Sequence, residues 1–337
     1  MDGACSRTHG KGNPPFGQLG RRSFLLGGKA FRWLNGRMPI EVFTPDSLPP
    51  AQSGRLRYGV IGSPIAHSLS PAMQLAGFQA AGLDAEYFRI EIPQDGLAEA
   101  IPRLLKAGFE GWNCTLPHKT GMFRIATSKD PSAIEAQSVN TIRVEGRQLH
   151  GFSTDAGGWE AAIQETWAVP LNNLQILILG CGGVGQSIAR RLAQGGCDSL
   201  ILMNRDPRRA EQLNFELKPI VGGRFPLSFL PWNDANLEIA LKKTDLIVQA
   251  TSLGLREEDL LPIPAHFLDP KFKVYDTIYR KGFTPLIRAA RQRGCPAEDG
   301  LTMLLHQGIL SWEIWTGKKA PKAAMRQALW QAAERDK

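Results

Sequence analysis

Residues Leu174 to Ala193 read LQILILGCGGVGQSIARRLA, and the rest of the chain is organised around them. Gln175 to Leu179 form a short apolar, β-branched run, with the length and composition of a strand buried on both faces. Gly180, Gly182 and Gly185 follow in G-x-G-x-x-G spacing, with Gly183 between them, and Ser187 to Gln194 carry a helical pattern. The first glycine permits a tight turn, the second lets backbone approach a pyrophosphate, and the third lets helix pack on strand. Phosphates are favoured there because the unpaired N–H groups and the dipole of a helix N-terminus attract an anion. Alone, this spacing is a weak signal, and a tight structural turn would also use it. Between a strand and a helix it stands in its confirming context and predicts a dinucleotide site.

Working outward, Ser199 to Met203 form the next strand, which ends in Asn204-Arg205-Asp206-Pro207-Arg208-Arg209. An NAD enzyme usually places an acid here to hold the ribose 2′-hydroxyl. Asn204 and Arg205 stand there instead, and a guanidinium suits the extra phosphate of NADP through bidentate, charge-assisted bonds. The reading is NADP, with Asp206 the one residue that pulls the other way. Asp245 to Gln249 are another buried strand with Thr251 just past its carboxyl end, the edge at which ligands bind in open α/β sheets. Lys273 to Ile278 repeat the pattern. Leu286 to Arg293, Leu301 to Trp315 and Ala323 to Arg335 read as helices.

Before the glycine loop, order is expected from Arg57. Arg57 to Gly62 make a strand, and Ser70 before Pro71 is the expected N-cap of a helix reaching about Ala81. A strand over Ala85 to Ile92 and a helix over Gly96 to Ala107 follow. Phe109 to Cys114 read as a strand leading into a proline-marked turn at Thr115 to Lys119. Ala133 to Gln137 look helical, Val139 to Val144 alternate as a strand, and Gly157 to Thr166 begin the helix toward the dinucleotide half.

The chain has 337 residues, 43% hydrophobic and 21% charged, which is room for two ordinary domains of a soluble globular protein. No apolar run is long enough to span a membrane. Five cysteines without metal-ligand spacing suggest free thiols and a reducing cytoplasm. The net charge of +8 invites a nucleic-acid reading, but residues 1–57 hold nine Lys/Arg against three acids and so carry +6 of it. A nearly neutral body with a basic tail does not look like a groove reader, and no nucleic-acid partner is expected. Residues 1–56 are expected to be a disordered basic extension. Arg21-Arg22 resembles a twin-arginine export signal, but Gly27, Gly28 and Lys29 break its apolar run, and Met38 is an alternative start.

Nine blocks in this order resemble the shikimate dehydrogenase family: GSPIAHSLSP (62–71), NCTLPHK (113–119), SVNT (138–141), STD (153–155), GCGGVG (180–185), NRD (204–206), ATSLG (250–254), YRKGFTP (279–285) and DGLTMLLHQ (299–307). The match spans roughly Gly59 to Gly317. The resemblance implies a two-domain α/β protein: an N-terminal β/α substrate domain (57–154, completed by 300–337) and a Rossmann-type NADP domain (155–299). It also implies reversible reduction of 3-dehydroshikimate to shikimate with NADPH in aromatic amino-acid synthesis. By position, Lys119 and Asp155 match the family's catalytic pair, and Ser68, Ser70, Thr115, Asn140, Tyr279 and Gln307 its substrate ligands. The expected cofactor contacts are Gly180, Gly182, Gly183, Gly185, Asn204, Arg205, Arg208, Arg209, Thr251 and Gly300. These residue types suit a small polyol carboxylate, which needs a ring of hydroxyls and amides. A lysine ammonium can protonate the carbonyl oxygen as hydride arrives, oriented by a carboxylate. Gln74, Ser153 and Cys114 depart from the family's usual residues.

Each residue alone has a plainer reading. Lys119 suits a solvated loop, Asp155 a helix N-cap, and Ser68 and Ser70 loop and cap positions. Gln307, an amide amid apolar helix, needs partners either way. His67, His118 and His306 lack neighbours at ligand spacing, so no metal is expected. Two other functions are kept: a quinate/shikimate dehydrogenase with broader cofactor use, and a non-catalytic ligand sensor on the same fold, which would be expected to lose Lys119 or Asp155. A homodimer is one option for assembly.

Overall fold

The computed structural model describes residues 24–26, 29–31, 41–280 and 282–334. In the leading segment, β1 (Phe24–Leu26) and β2 (Lys29–Phe31) pair antiparallel. The rest of residues 1–40, with Arg21, Arg22 and Met38, lies outside the described residues, and so does most of the expected disordered extension.

Order nevertheless starts earlier than Arg57. Strand β3 (Val42–Phe43) pairs in parallel with β5 (Ala85–Glu91), which corrects the expectation of disorder for residues 41–56. The reason lies in Arg57 itself, whose guanidinium donates to the carbonyls of Pro49 and Pro50, both at 3.0 Å. The first sheet adds β4 (Leu56–Gly62), β6 (Gly111–Cys114), β7 (Ser128–Lys129), β8 (Thr141–Glu145) and β9 (Gln148–Phe152). Its order is β3-β5-β4-β6-β8-β9-β7, with β8 antiparallel to both neighbours. Helices α1 (Ser70–Ala80), α2 (Leu97–Lys106), α3 (Lys119–Ile125) and α4 (Pro131–Ala136) belong to this half. Ser70 is the first residue of α1 and Leu69 its cap, so the expected Ser70 cap is displaced by one position. Strand β8 likewise begins at Thr141, two residues after the expected Val139, while Asn140 keeps its backbone bonds to Cys114 and Phe152 and accepts from Thr154 N–H with its side chain.

After α5 (Asp155–Trp167) comes a six-stranded, all-parallel sheet: β10 (Gln175–Leu179), β11 (Ser199–Asn204), β12 (Leu227–Pro231), β13 (Leu246–Gln249), β14 (Lys273–Asp276) and β15 (Ala297–Glu298). The order β12-β11-β10-β13-β14-β15 reverses between β10 and β13, which is the doubly wound arrangement whose crevice holds a dinucleotide. Strand β10 is buried on both faces, as its composition predicts. Ile176 and Ile178 pack with α6 (Gly183–Gly195) and α7 (Pro207–Val221), while Leu177 and Leu179 pack with α8 (Asp234–Leu241) and α9 (Pro285–Gln292). Helix α6 starts at Gly183, four residues before the expected Ser187, so two glycines of the loop lie inside its first turn.

The last helices, α10 (Leu301–Thr316) and α11 (Lys322–Ala332), return to the first sheet. Trp312, Trp315, Met325 and Leu329 share one core with Tyr58, Val60 and Phe78 of β4 and α1. Among the described residues no helix is long and apolar enough to cross a membrane.

Candidate functional site

Two helix starts define the site. Strand β6 ends at Cys114, and the turn after it is fixed by His118, whose backbone N–H donates to Thr115 O at 2.9 Å. The buried His118 ring also bonds the Ile92 carbonyl at 2.7 Å. Lys119 is therefore the first residue of α3, as Asp155 is of α5, and Lys119 Nζ donates to Asp155 Oδ2 at 2.6 Å. Asp155 is nearly buried and Lys119 mostly so, which strengthens the pair relative to a surface bridge. Asp155 caps nothing: Thr154 is the N-cap residue, without a side-chain cap bond, and the plainer reading of Asp155 falls.

Asn140 holds the other carboxylate oxygen. Its Nδ2 donates to Asp155 Oδ1 and to Thr154 Oγ1, both at 2.9 Å, and reaches Gln307 Oε1 at 3.4 Å. Its Oδ1 accepts from Thr154 N–H at 2.9 Å and from the Thr141 hydroxyl at 3.0 Å. Gln307 reaches this cluster because α5 and α10 approach at Gly158, where a Cβ would lie 2.7 Å from the Gln307 backbone nitrogen.

A polar chain behind Asn140 escaped the sequence reading. Asn113 Nδ2 donates to Asn140 O at 3.2 Å, Thr141 Oγ1 at 3.1 Å and Ser311 Oγ at 2.9 Å, while its Oδ1 accepts from the Tyr87 hydroxyl at 2.7 Å. Ser311 in turn bonds Thr141 at 2.8 Å. A polar residue inside the buried run Trp112-Asn113-Cys114 was the available signal. Beside it, burial pushes the Cys114 thiol well above its ordinary pKa, leaving it an inert core group.

Ser68, Ser70 and Tyr279 come together at the start of α1. Ser68 Oγ accepts from the Ser70 N–H at 3.3 Å, and the Tyr279 hydroxyl lies against the Leu69 backbone amide. Thr115 stands at the end of β6, its N–H donating to Ile61 O at 2.9 Å and its methyl group filling the space beside Gly62.

At the end of β10 the loop is open. Gly180 has φ 103°, and a Cβ on Gly185 would lie 1.9 Å from the Gly180 carbonyl, so turn and helix demand these two glycines. Gly182 and Gly183 face empty space at the N-terminus of α6, a cradle with room for phosphate. Asn204 braces the loop, accepting from Cys181 N–H at 2.9 Å and donating to Asp206 O at 2.9 Å. Arg208 forks onto Asp206 at 2.9 and 3.0 Å, so Asp206 is occupied. Arg205 and Arg209 are exposed and make no hydrogen bond or ion pair among the described residues. Thr251 closes a turn through Leu253 N–H at 3.0 Å. At Gly300 a Cβ would meet the Thr277 carbonyl at 2.2 Å, which gives that glycine a packing reason of its own. A buried carboxyl, Asp276, ends β14, accepting from the Thr284 hydroxyl at 2.6 Å and Ile278 N–H at 3.0 Å, and burial raises its pKa to about 7. Among the described residues no cluster of His, Cys, Asp and Glu suits a metal.

A doubly wound sheet with a glycine cradle at its strand reversal, joined to a second α/β sheet bearing a buried Lys–Asp pair, defines the class of nicotinamide-dependent oxidoreductases with a separate substrate sheet. The chain matches the family profiles "Shikimate dehydrogenase substrate binding domain" over residues 60–142, "Shikimate / quinate 5-dehydrogenase" over 162–254 and "Shikimate 5'-dehydrogenase C-terminal domain" over 300–329. It is 38% identical to the shikimate dehydrogenase (NADP(+)) of Desulfitobacterium hafniense over 275 residues, covering 82% of this chain and 97% of that one. The Thermus thermophilus shikimate 5-dehydrogenase, solved with NADP(H) and shikimate, superposes with a TM-score of 0.72 at 33% identity, covering 82% and 99%. Quinate dehydrogenase from Corynebacterium glutamicum, solved with NAD, gives 0.72 at 25% identity, covering 82% and 99%. The chain belongs to the shikimate dehydrogenase family.

Proposed function

We propose that the protein interconverts 3-dehydroshikimate and shikimate with NADP, on the shikimate route to aromatic amino acids. The observation that carries this is the 2.6 Å Lys119–Asp155 contact beside a cluster of amides and hydroxyls suited to a polyol. The resident cofactor fits the chain's own residues: the empty cradle at Gly182 and Gly183 suits a pyrophosphate, and the uncommitted Arg205 and Arg209 suit a 2′-phosphate. The bound nicotinamide would supply or accept hydride. Lys119 donates the proton to the developing alkoxide and stabilises its charge, and Asp155 orients the ammonium. Asn140 holds Asp155 from behind, while Ser68, Ser70, Thr115, Tyr279 and Gln307 bind the ring substituents. In this reading residues 57–154 with 300–337 hold substrate, and 155–299 hold cofactor through the glycine loop, Asn204, Arg205, Arg208, Arg209 and Thr251, with Gly300 adding a cofactor contact from the start of the returning segment. The protein works in the cytoplasm, and a homodimer, measurable by light scattering, belongs to the same reading.

The test is NADPH formation with shikimate and then with quinate. Rapid turnover of shikimate alone supports the proposal. Quinate oxidised equally well, or with NAD in place of NADP, moves the assignment to the quinate/shikimate alternative, which the likeness to quinate dehydrogenase keeps in view. No turnover of either would favour a sensor, against which the retained Lys119 and Asp155 stand.

A further inference from the structure

Among the described residues of the first half of the chain two arginines are buried, and their surroundings differ. Arg57 is 2% exposed and saturated: its Nε donates to Glu86 at 2.6 Å, and its terminal nitrogens donate to the carbonyls of Pro49, Pro50 and Ala107 at 3.0 Å. Arg89, on β5, is 9% exposed, and its one hydrogen bond among the described residues runs from Nε to the Ser68 carbonyl at 2.9 Å. No described carboxylate pairs with it. Glu91, two residues on and on the same face of the strand, is committed to the Ser63 hydroxyl at 2.7 Å and Ile65 N–H at 3.0 Å. The charge of Arg89 faces only the phenols of Tyr87 and Tyr279, and burial lowers its pKa. Its terminal nitrogens make no hydrogen bond among the described residues and are not sealed off, so a cation held largely out of water faces whatever enters beside it, and an anion there would offset its burial.

The surroundings name the anion. Helix α1 starts beside Arg89 with no side-chain cap bond and no acid in its first turn, so its leading N–H groups have the field that favours negative charge. Ser68, Ser70 and Tyr279 put hydroxyls at the same place, with Ser70 within hydrogen-bonding reach of Tyr87. We infer that Arg89 is the cation of a carboxylate subsite at the start of α1, and that it makes the pocket select an anionic over an uncharged substrate. The inference rests on the proposed function, which makes the substrate a polyol carboxylate, and adds the residue that reads its charge. Ser68 is pinned from behind by the Arg89 Nε bond, so the same side chain also fixes the loop that presents the hydroxyls.

The test is calorimetric titration of the full chain with shikimate and with its uncharged methyl ester, in the wild type, R89K and R89Q. The wild type should bind the carboxylate more tightly. R89Q should lose about ten- to a hundredfold in shikimate affinity while ester affinity holds, closing the gap between the two ligands. R89K should keep most of the preference, since it retains the charge. An R89Q protein with the wild-type ratio of affinities overturns the inference. So does a wild type that binds ester and acid equally, a result that depends on no variant folding. Turnover of shikimate by the wild type stands apart from both: if turnover holds and the ratio does not depend on Arg89, only the inference falls, and a wild type that neither binds nor oxidises shikimate removes both.

Discussion

At the end of the first sheet the polar atoms of Asn140, Thr154 and Asp155 are already bonded to one another, and Lys119 is held by a carboxylate. At the end of the second sheet, Gly182 and Gly183 face empty space, and Arg205 and Arg209 make no hydrogen bond or ion pair among the described residues. One region is pre-built and the other is left open. Under the proposed function the difference follows from what each would do. Acid–base chemistry needs groups fixed before substrate arrives. A cofactor that comes and goes needs a surface whose donors are kept vacant for it.

The largest expected effect comes from breaking the pre-built side. Lys119→Met should lower turnover by about 10²–10⁴, the usual share of general acid–base catalysis, with the Michaelis constant for shikimate moving much less. Asp155→Asn should act similarly, and the double variant should be little worse than either single, because the two work as one unit. Near-normal turnover of Lys119→Met would end the mechanism.

On the open side, Arg205→Ala should raise the Michaelis constant for NADP far more than for NAD, by roughly 1.5–3 kcal/mol if one charged hydrogen bond is lost. Equal rises for both cofactors would mean that Arg205 does not touch the 2′-phosphate.

Glycine substitutions sharpen the comparison within a single loop. Gly185→Ala meets the Gly180 carbonyl and should cost about 1–3 kcal/mol in urea unfolding. Gly183→Ala enters empty space and should leave stability within about 0.5 kcal/mol while weakening NADP. If both variants were equally unstable, the cradle would be a structural feature and not a ligand site.

The smallest effect is on pH dependence. Asp276 holds its proton to about pH 7 in the fold, whereas an unfolded carboxyl releases it near pH 4. Its contribution is full below the unfolded pKa and is lost as pH rises through the folded one. Asp276→Asn should therefore flatten the fall in melting temperature between about pH 4 and 7. A slope unchanged in the variant would place that titration elsewhere.

The glycine loop was legible because its demands are local: a turn at Gly180 and a close approach at Gly185 exclude any side chain, whatever surrounds them. Strand β10 was equally plain, being apolar on both faces. What escaped depended on distant partners. Asn113 meets Ser311 across 198 residues; its place in an apolar run marks it as needing a partner, but not which one. Arg89 in a strand looks like any exposed arginine until Ser68 and Tyr279 close over it. Helix α7 was hidden by Pro219 near its end, and β12 by its partly exposed edge position and terminal Pro231. Asp155 opens α5 two residues before the helix start expected at Gly157, and its partner Asn140 was placed inside a strand that begins one residue after it.

The return of α10 and α11 to the first sheet has a consequence for synthesis. The first sheet's last strand is finished at Phe152, but the helices that cover Tyr58, Val60 and Phe78 begin only at Leu301. At ribosomal speeds of about 5–20 residues per second, that leaves an uncovered apolar face for roughly 7–30 seconds while the whole second sheet is made. During that interval the nascent chain is a natural client for a holding chaperone. Termination just before Leu301 would release a protein whose second sheet is complete and whose first sheet presents bare aromatic core.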